Sequence, residues 1–453
     1  MIRMYPSYNN VFTQFNEVAG SQTGIINSVV LPLVNYHGEP TLKSMTGTMP
    51  NYHTQILKNG QKVTYHIIGY GSYFEEAFIK YIGESIERYS SLVGSALTES
   101  EVLYASYNEV KKLGKVMPLQ YLNVFTESQI SRIKQNRLIL CDKQVKEDDV
   151  LGWIKCPSLL NIEEEIYVPM QMLFIGYEND YSKGEFRHIP AFSTGTASHK
   201  TFFKALENAI IEYIQLDAFM LTWYTKQKCK RVIIDDEHVL SILKKHKLLG
   251  DECPYEIIPL YITQPDLELP NFAVILKRKD QKAPYMLMGI QADLDPVHGL
   301  LRGIMEAVPI AQSAFYNTIF YPDAVEEVYS NNPQFNDLDK NVLYYAMPHQ
   351  IIEKDRLVAD FIEGEIKLSE IKSVHQQSDQ KNVMYLINEL KKVSEHAIFM
   401  DVTPPEAREK NWYVVRVLVP EILEMCIPDY PFANHPRMLQ FGGVKNAFPH
   451  PIP

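Results

Sequence analysis

Apolar residues return at three- and four-residue steps along the stretch from Gly69 to Leu92: Phe74, Ala77, Phe78, Tyr81, Ile82, Ile86 and Tyr89. That period predicts a helix with one apolar face, and it follows a Gly-Tyr-Gly-Ser turn at 69–72. Glu76, Lys80, Glu84, Glu87 and Ser91 fall on the opposite side. A second such stretch, from about His199 to Tyr224, is apolar nearly all round (Phe202, Phe203, Leu206, Ile210, Ile211, Ile214, Phe219), which predicts a buried helix. One arc of it stays polar: Lys200, Lys204, Asn208, Glu212 and Gln215. A third helix is expected through about Val308, opened by Asp293-Leu294-Asp295-Pro296, with Asp and Pro as start signals. It carries His298, Arg302 and Glu306 at four-residue steps.

Strand-like runs precede these helices. Ile25–Val34, after Ser21-Gln22-Thr23-Gly24, reads as a strand, and Tyr52–Leu57 and Lys62–Ile68 around Asn59-Gly60 read as a hairpin. Ile166–Tyr177 is strongly apolar, with Pro169 marking an edge or a bulge, and a polar turn leads from it to Arg187–Phe192. Phe272–Lys277 and Tyr285–Ile290 form another expected hairpin. Hairpin then helix thus occurs three times, at spacing too uneven for a solenoid. The pattern predicts an α+β fold built on duplicated halves or thirds, as one domain over 1–453. Within it, 1–60 is an N-terminal part, and 96–160, rich in charge, reads as an exposed insertion. A helix (Gln380–Glu395) and a strand (Trp412–Val419) precede a Pro-rich tail, 427–453.

Composition narrows the class. With 453 residues, 46% hydrophobic and 22% charged, the chain is an ordinary globular protein with a large core. A net charge of −11 argues against a nucleic-acid or anionic-membrane surface. The five cysteines are scattered and none forms a C-x-x-C pair, so reduced thiols are expected rather than disulfides or a cysteine zinc site. Met1–Asn10 lacks a secretory pattern, and no run approaches the roughly 20 apolar residues that span a bilayer. A cytoplasmic protein is expected.

The polar stripes carry the candidate chemistry. Glu84 and Glu87, three apart, can aim two carboxylates at one point; Mg2+ prefers such oxygens and commonly carries phosphates. A polar stripe on a buried helix must be satisfied, either by a salt-bridge network or by a ligand held between Glu84/Glu87 and Glu212/Gln215. Arg302 can hold a terminal phosphate, or simply pair with Glu306. Gly69-x-Gly71-Ser72 and Gly195-x-Ala197-Ser198 precede helix starts, where free N–H groups bind phosphate; neither is a Walker A sequence. Spacing alone leaves solvated faces and structural ion pairs open.

Gly83-Glu84-Ser85-x-Glu87-Arg88-Tyr89 after a Gly-x-Gly turn resembles the first signature of the YcaO family. Gly195-x-Ala197, Ala205 and Glu212-x-x-Gln215-x-Asp217 resemble its second. Arg302-x-x-x-Glu306-Ala307 with Gln312 resembles the third helix, and Val414-Val415-Arg416-Val417-x-Val419-Pro420 the strand near the end. The resemblance covers roughly residues 20–453. It implies a YcaO-type fold of hairpin-plus-helix units around an ATP/Mg2+ site, in which carboxylates from separate helices hold Mg2+ and Mg2+ holds the phosphates. Carried over, Glu84, Glu87, Glu212 and Gln215 are the metal set, with Gln215 where the usual pattern has Glu and Leu216 where it has Arg. Lys80, Arg88, Lys200, Lys204 and Glu306 complete the nucleotide set, and Arg302 meets the γ-phosphate. The three lysines stand where shorter or acidic polar residues are common.

Pro449-x-Pro451-x-Pro453 resembles the PxPxP ending of azoline-forming YcaO cyclodehydratases, a stiff extended segment able to deliver the Pro453 carboxylate to a fixed place. The implied activity is ATP-dependent conversion of Cys, Ser or Thr of a ribosomal precursor peptide into thiazoline or oxazoline, by phosphorylation of the amide oxygen. The implied partners, as in streptolysin-type toxin clusters, are the precursor peptide, a ThiF-like leader-binding C protein and an FMN-dependent dehydrogenase B protein. The assembly implied is a homodimer within a hetero-oligomeric complex, without nucleic acid. A related thioamide- or amidine-forming enzyme is an alternative, and Gln215 and Leu216 would suit a catalytically silent scaffold.

Overall fold

A strand comes directly before each of the first two long helices and one short turn before the third, and the strands decide how the helices meet. The computed structural model describes residues 7–20, 24–26, 30–33, 35, 38–47, 49–50, 52, 67–175, 177–330 and 333–453. The first sheet is antiparallel, in the order β1 (Leu31–Pro32), β2 (Lys43–Gly47), β3 (Ile67–Gly71). Of the expected Ile25–Val34 strand, β1 is the part seen. The expected Tyr52–Leu57 hairpin with its Asn59-Gly60 turn lies, apart from Tyr52, outside the described residues. The partner described for β3 is β2, with Ile68 opposite Thr46.

Next come β4 (Leu103–Ser106), β5 (Lys115–Val116), β6 (Val150–Pro157) and β7 (Glu165–Pro169), in the order β4-β6-β7-β5. Residues 96–160 therefore own a buried side, with Trp153, Ile154 and Cys156 in the core, while charges such as Lys146, Glu147 and Asp148 stay outside. Charge frequency signalled the outside of this sheet and hid its inside. Pro169 marks neither an edge nor a bulge. It is the last residue of β7, which is paired on both sides, and it stands at the N-cap of the short helix Met170–Leu173. Arg187–Phe192 forms no strand; it is a loop pinned by two hydrogen bonds between Asp142 and Arg187.

β8 (Thr196–His199) leads into the helix Phe202–Thr225. β9 (Cys229–Ile233), β10 (Tyr255–Tyr261), β11 (Asn271–Arg278), β12 (Met286–Ala292) and β13 (Ile362–Lys367) form one sheet, in the order β12-β11-β10-β9-β13. The expected hairpin is β11–β12, antiparallel, with Phe272 opposite Gln291. After β12 the helix Pro296–Phe320 opens with Asp295 as N-cap and Pro296 at its first position, as its start signals required. It continues through Pro309, where a stop had been expected. β14 (Ile398–Asp401) and β15 (Tyr413–Leu418) close a three-stranded sheet with β8.

Each long helix packs on the strand of its own unit and on a strand of the next. Helix Phe74–Leu97 lies on β3 and β8, helix Phe202–Thr225 on β8, β15 and β12, and helix Pro296–Phe320 on β12, β11 and β3. The three units thus close into a ring, which is the α+β arrangement the repeated pattern predicted. Gly69 makes the first contact possible: a Cβ there would stand 1.9 Å from the Ala77 carbonyl oxygen. The five cysteines are buried and unpaired. Among the described residues, no helix is long and apolar enough to cross a membrane.

Candidate functional site

Because every long helix packs on strands of the ring, each can be tied to its own strand by one acidic side chain. The backbone N–H of Ile68 donates to Glu84 Oε2 at 3.1 Å, that of Gly195 to Glu212 Oε2 at 3.3 Å, and that of Ile290 to Glu306 Oε2 at 3.0 Å. Gly195 is needed for its bond. Its φ is +80°, and a Cβ would meet the Val417 carbonyl oxygen at 2.5 Å and the Tyr213 ring at 2.6 Å. The polar side of helix Phe74–Leu97 is accordingly not a solvated face: Glu76 and Ser91 are buried, and Glu84 and Glu87 are only 26% and 16% exposed.

Clustered burial shows in the acidities. Burial raises Glu84 above the ordinary carboxylate range, against the pull of Arg88 and the Ile68 N–H. Glu87 is raised well above it, by burial first and then by the charges of Glu212 and Glu84, with Arg88 opposing. Glu212 is pushed up to about 7 by burial, against Arg88 and Arg416, with Glu84 adding to the rise. Glu306 is likewise pushed up to about 7 by burial, against Arg302 and Lys80, with Glu212 adding. The four acids from three helices therefore feel one another, and the burial of their anionic forms outweighs the cations beside them.

Cations of the same helices stand among them. Arg88 Nη2 is 3.4 Å from Glu84 Oε1, and Arg88 Nη1 is 3.6 Å from Glu87 Oε1. Lys80 Nζ is 2.9 Å from Glu76 Oε1 and 4.5 Å from the Tyr70 ring centre. Arg302 is hydrogen-bonded to Tyr70 and lies beside Glu306 and Asp293, yet its Nε is buried without a hydrogen-bond partner. Among the described residues, no three Asp, Glu, His or Cys side chains stand close enough to hold a metal as they are. The carboxylates share a field without sharing a ligand shell.

The other expected residues are placed as follows. Gln215 Oε1, the atom a metal would take, accepts from Ala292 N at 2.9 Å and Gln291 Nε2 at 3.2 Å, tying helix Phe202–Thr225 to β12. Leu216 is buried. Lys200 Nζ donates to the Lys410 carbonyl at 3.0 Å and sits 4.1 Å from the Trp412 ring centre, while Lys204 is paired with Glu207. His298 Nδ1 is 2.5 Å from Asp293 Oδ2; burial alone would raise Asp293, but this bond and the His298 charge outweigh it and bring the carboxyl down to about 2. Each glycine-rich turn already commits a backbone N–H to an acid of the helix that follows, Ser72 to Glu76 and Gly195 to Glu212. Ser72 N donates to Glu76 Oε2 at 2.8 Å, and Gly195–Ser198 leads into and forms β8, with the helix starting only at Phe202.

Two residues had no assigned role in the sequence. Tyr70, on β3, holds Arg302. Arg416, 2% exposed, donates to the carbonyls of Phe192 (2.8 Å) and Met172 (2.9 Å) and to Thr196 Oγ1 (3.1 Å). It fixes the loop that presents the Gly195 N–H, and its charge also acts on Glu87 and Glu212. A single arginine inside the apolar run Val414–Val419 was its signal.

The Pro-rich tail is built in. Trp223 Nε1 donates to the Phe448 carbonyl (3.1 Å) and the Tyr345 hydroxyl to that of Pro449 (2.7 Å). Asn341 Nδ2 donates to the carbonyls of His450 (2.7 Å) and Ile452 (2.8 Å). His450 Nε2 meets the Cys426 carbonyl at 2.9 Å, and burial lowers its pKa to about 4, so the ring is neutral. Pro453 itself is exposed. A cavity of about 550 Å³, lined by Tyr329, Phe335, Tyr344, His349 and Phe448 among others, adjoins the tail.

A family model described as a YcaO cyclodehydratase that binds ATP and Mg2+ matches residues 68–423. No curated protein matches the chain. Among solved structures, a heterocyclase in complex with substrate and cofactor superposes with a TM-score of 0.73 at 17% identity, over 98% of this chain and 57% of its own. YcaO from Methanopyrus kandleri bound with AMPPCP and Mg2+ gives 0.60 at 14% identity, over 89% and 90% of the two chains. The E. coli microcin synthetase McbBCD complex gives 0.57 at 12% identity, over 93% and 91%. At such identities the likeness is one of fold, and the chain spans 57% of the length of the heterocyclase.

Proposed function

The chain belongs to the YcaO family, and from that premise we propose that it is an ATP-dependent peptide cyclodehydratase acting as one domain over residues 1–453. One observation supports this above the others: Glu84, Glu87, Glu212 and Glu306, from three helices, share one buried field in which burial raises all four despite the nearby Arg88, Arg302, Arg416 and Lys80. Hard carboxylate oxygens suit Mg2+, and the unpartnered Nε of Arg302 suits a phosphate oxygen, so the residues present fit Mg2+–ATP. Glu84, Glu87 and Glu212 would hold the metal, whose contribution is to neutralise the phosphates. Arg88, Lys80 and Glu306 would line the nucleotide, and Gln215 would act by fixing helix Phe202–Thr225 against β12.

The substrate is a ribosomal precursor peptide. The thiol of Cys, or the hydroxyl of Ser or Thr, gives up its proton to solvent and adds to the preceding amide carbon. The amide oxygen gains charge and takes the γ-phosphoryl group of ATP. Loss of phosphate, with departure of the amide N–H proton, leaves the C=N bond of a thiazoline or oxazoline. Arg302 would steady the phosphoryl group in flight. The Pro453 carboxylate would orient or deprotonate at the amide, on a tail held by Asn341, Tyr345 and Trp223. The partners proposed are a ThiF-like leader-binding protein and an FMN-dependent dehydrogenase, with the chain a homodimer inside a cytoplasmic complex of the streptolysin type.

Reconstitution with ATP, Mg2+, precursor and the two partner proteins tests this. Loss of one water per ring by mass spectrometry, matched to phosphate release, is the expected result. Phosphate release that never rises on adding precursor would instead indicate a peptide-binding scaffold, and a mass change other than loss of water a different nucleophile.

A further inference from the structure

Arg88 lies one turn after Glu84 and directly after Glu87, and its two terminal nitrogens face one carboxylate each, at 3.4 and 3.6 Å. Both distances are long for a charge-assisted bond, so the guanidinium bridges the two acids without closing a fork on either. Its charge also reaches Glu212 on the neighbouring helix. Arg416, whose charge also acts on Glu87 and Glu212, is held by the carbonyls of Phe192 and Met172 and by Thr196. Lys80 is held by Glu76, and its charge acts on Glu306. The acids meanwhile form no metal-ready set as they stand.

We propose that Arg88 is the resident counter-ion of the nucleotide-free site: it stands in for the metal on Glu84 and Glu87, and must leave those oxygens before a divalent cation takes them. This rests on the Mg2+–ATP reading of the same carboxylates and deepens it by naming what the metal displaces. It gives the order of loading a physical cause. A bare divalent cation must compete with a tethered guanidinium, whereas metal arriving with ATP brings phosphate oxygens that give Arg88 a new partner. The site therefore binds metal poorly until nucleotide comes with it.

The experiment titrates Mn2+, with and without a non-hydrolysable ATP analogue, into the full chain and follows free Mn2+ by electron paramagnetic resonance. Wild type is expected to hold Mn2+ weakly alone and more tightly with the analogue. Arg88→Met, with Arg88→Gln as a second variant in case Met perturbs folding, is expected to tighten nucleotide-free Mn2+ binding by about tenfold or more, as removing a nearby positive charge requires. Arg88→Lys, which keeps the charge, is expected to stay near wild type. Unchanged or weaker nucleotide-free binding in folded Arg88→Met and Arg88→Gln overturns the proposal while leaving the carboxylate site standing. A Glu84→Gln variant that takes up Mn2+ with the analogue as wild type does removes the carboxylate site itself, and the proposal with it.

Discussion

Two regions handle buried polar groups in opposite ways. At the centre of the ring, Glu84, Glu87, Glu212 and Glu306 each gain little beyond a backbone N–H or a neighbouring cation, and burial drives their acidities upward. Along the C-terminal tail, the carbonyls of Phe448, Pro449, His450 and Ile452 are each met by a donor from the core, and the His450 ring is held neutral on the Cys426 carbonyl. The core thus holds the end of the tail as a fixed strut. At the centre, burial outweighs the cations present and raises all four acids, which is the state expected of groups awaiting a ligand.

Five experiments can break or sharpen that contrast. Glu84→Ala should lower ATP turnover by about 100-fold or more, with far-UV circular dichroism and complex assembly unchanged; retained turnover would make the centre merely structural. Removing Pro449–Pro453 should lower ring formation by about tenfold or more through lost positioning, while Mg2+–ATP affinity holds; equal loss of both would make the strut only a brace for the fold. Asn341→Ala should lower unfolding free energy by about 1.5 kcal/mol for its two tail hydrogen bonds and leave ATP affinity alone, as chemical denaturation and calorimetry would show.

The contrast extends to pH, where the regions should respond in opposite senses. His450 has a folded pKa lowered to about 4 from 6.5, so its neutral, buried state contributes stability fully present above 6.5 and lost as pH falls toward 4. The stability gap between wild type and His450→Gln should therefore shrink over that window. Glu212 and Glu306, raised from 4.5 to about 7, do the reverse: the nucleotide-free fold loses their contribution as pH rises through 7. Mg2+–ATP, which needs the ionised acids, should then stabilise the protein more at pH 8 than at pH 6, read as thermal shifts.

The sequence carried much of this. Apolar period marked the first helix, a nearly all-round apolar surface the second and its start signals the third, and the polar residues left on a buried helix marked Glu212 as unusual. Asp295-Pro296 fixed the start of the third helix because a cap and a preset φ act locally. What was not legible depended on distant partners. Lys200 and Lys204 look from spacing like neighbours of Glu212, but Trp412, Lys410 and Glu207 hold them. Gln215 reads as a metal ligand until Ala292 supplies an N–H for its oxygen. The place where the stiff tail docks is not legible because nothing local sets it; Asn341 and Tyr345, more than a hundred positions earlier, do.

Calorimetric titration of a Mg2+-bound, non-hydrolysable ATP analogue into Glu212→Gln tests most directly whether acids from separate helices hold one nucleotide. Neutralising this side chain, on a different helix from Glu84 and Glu87, should weaken binding by about tenfold or more with the fold intact. Binding as tight as in wild type would contradict a shared site.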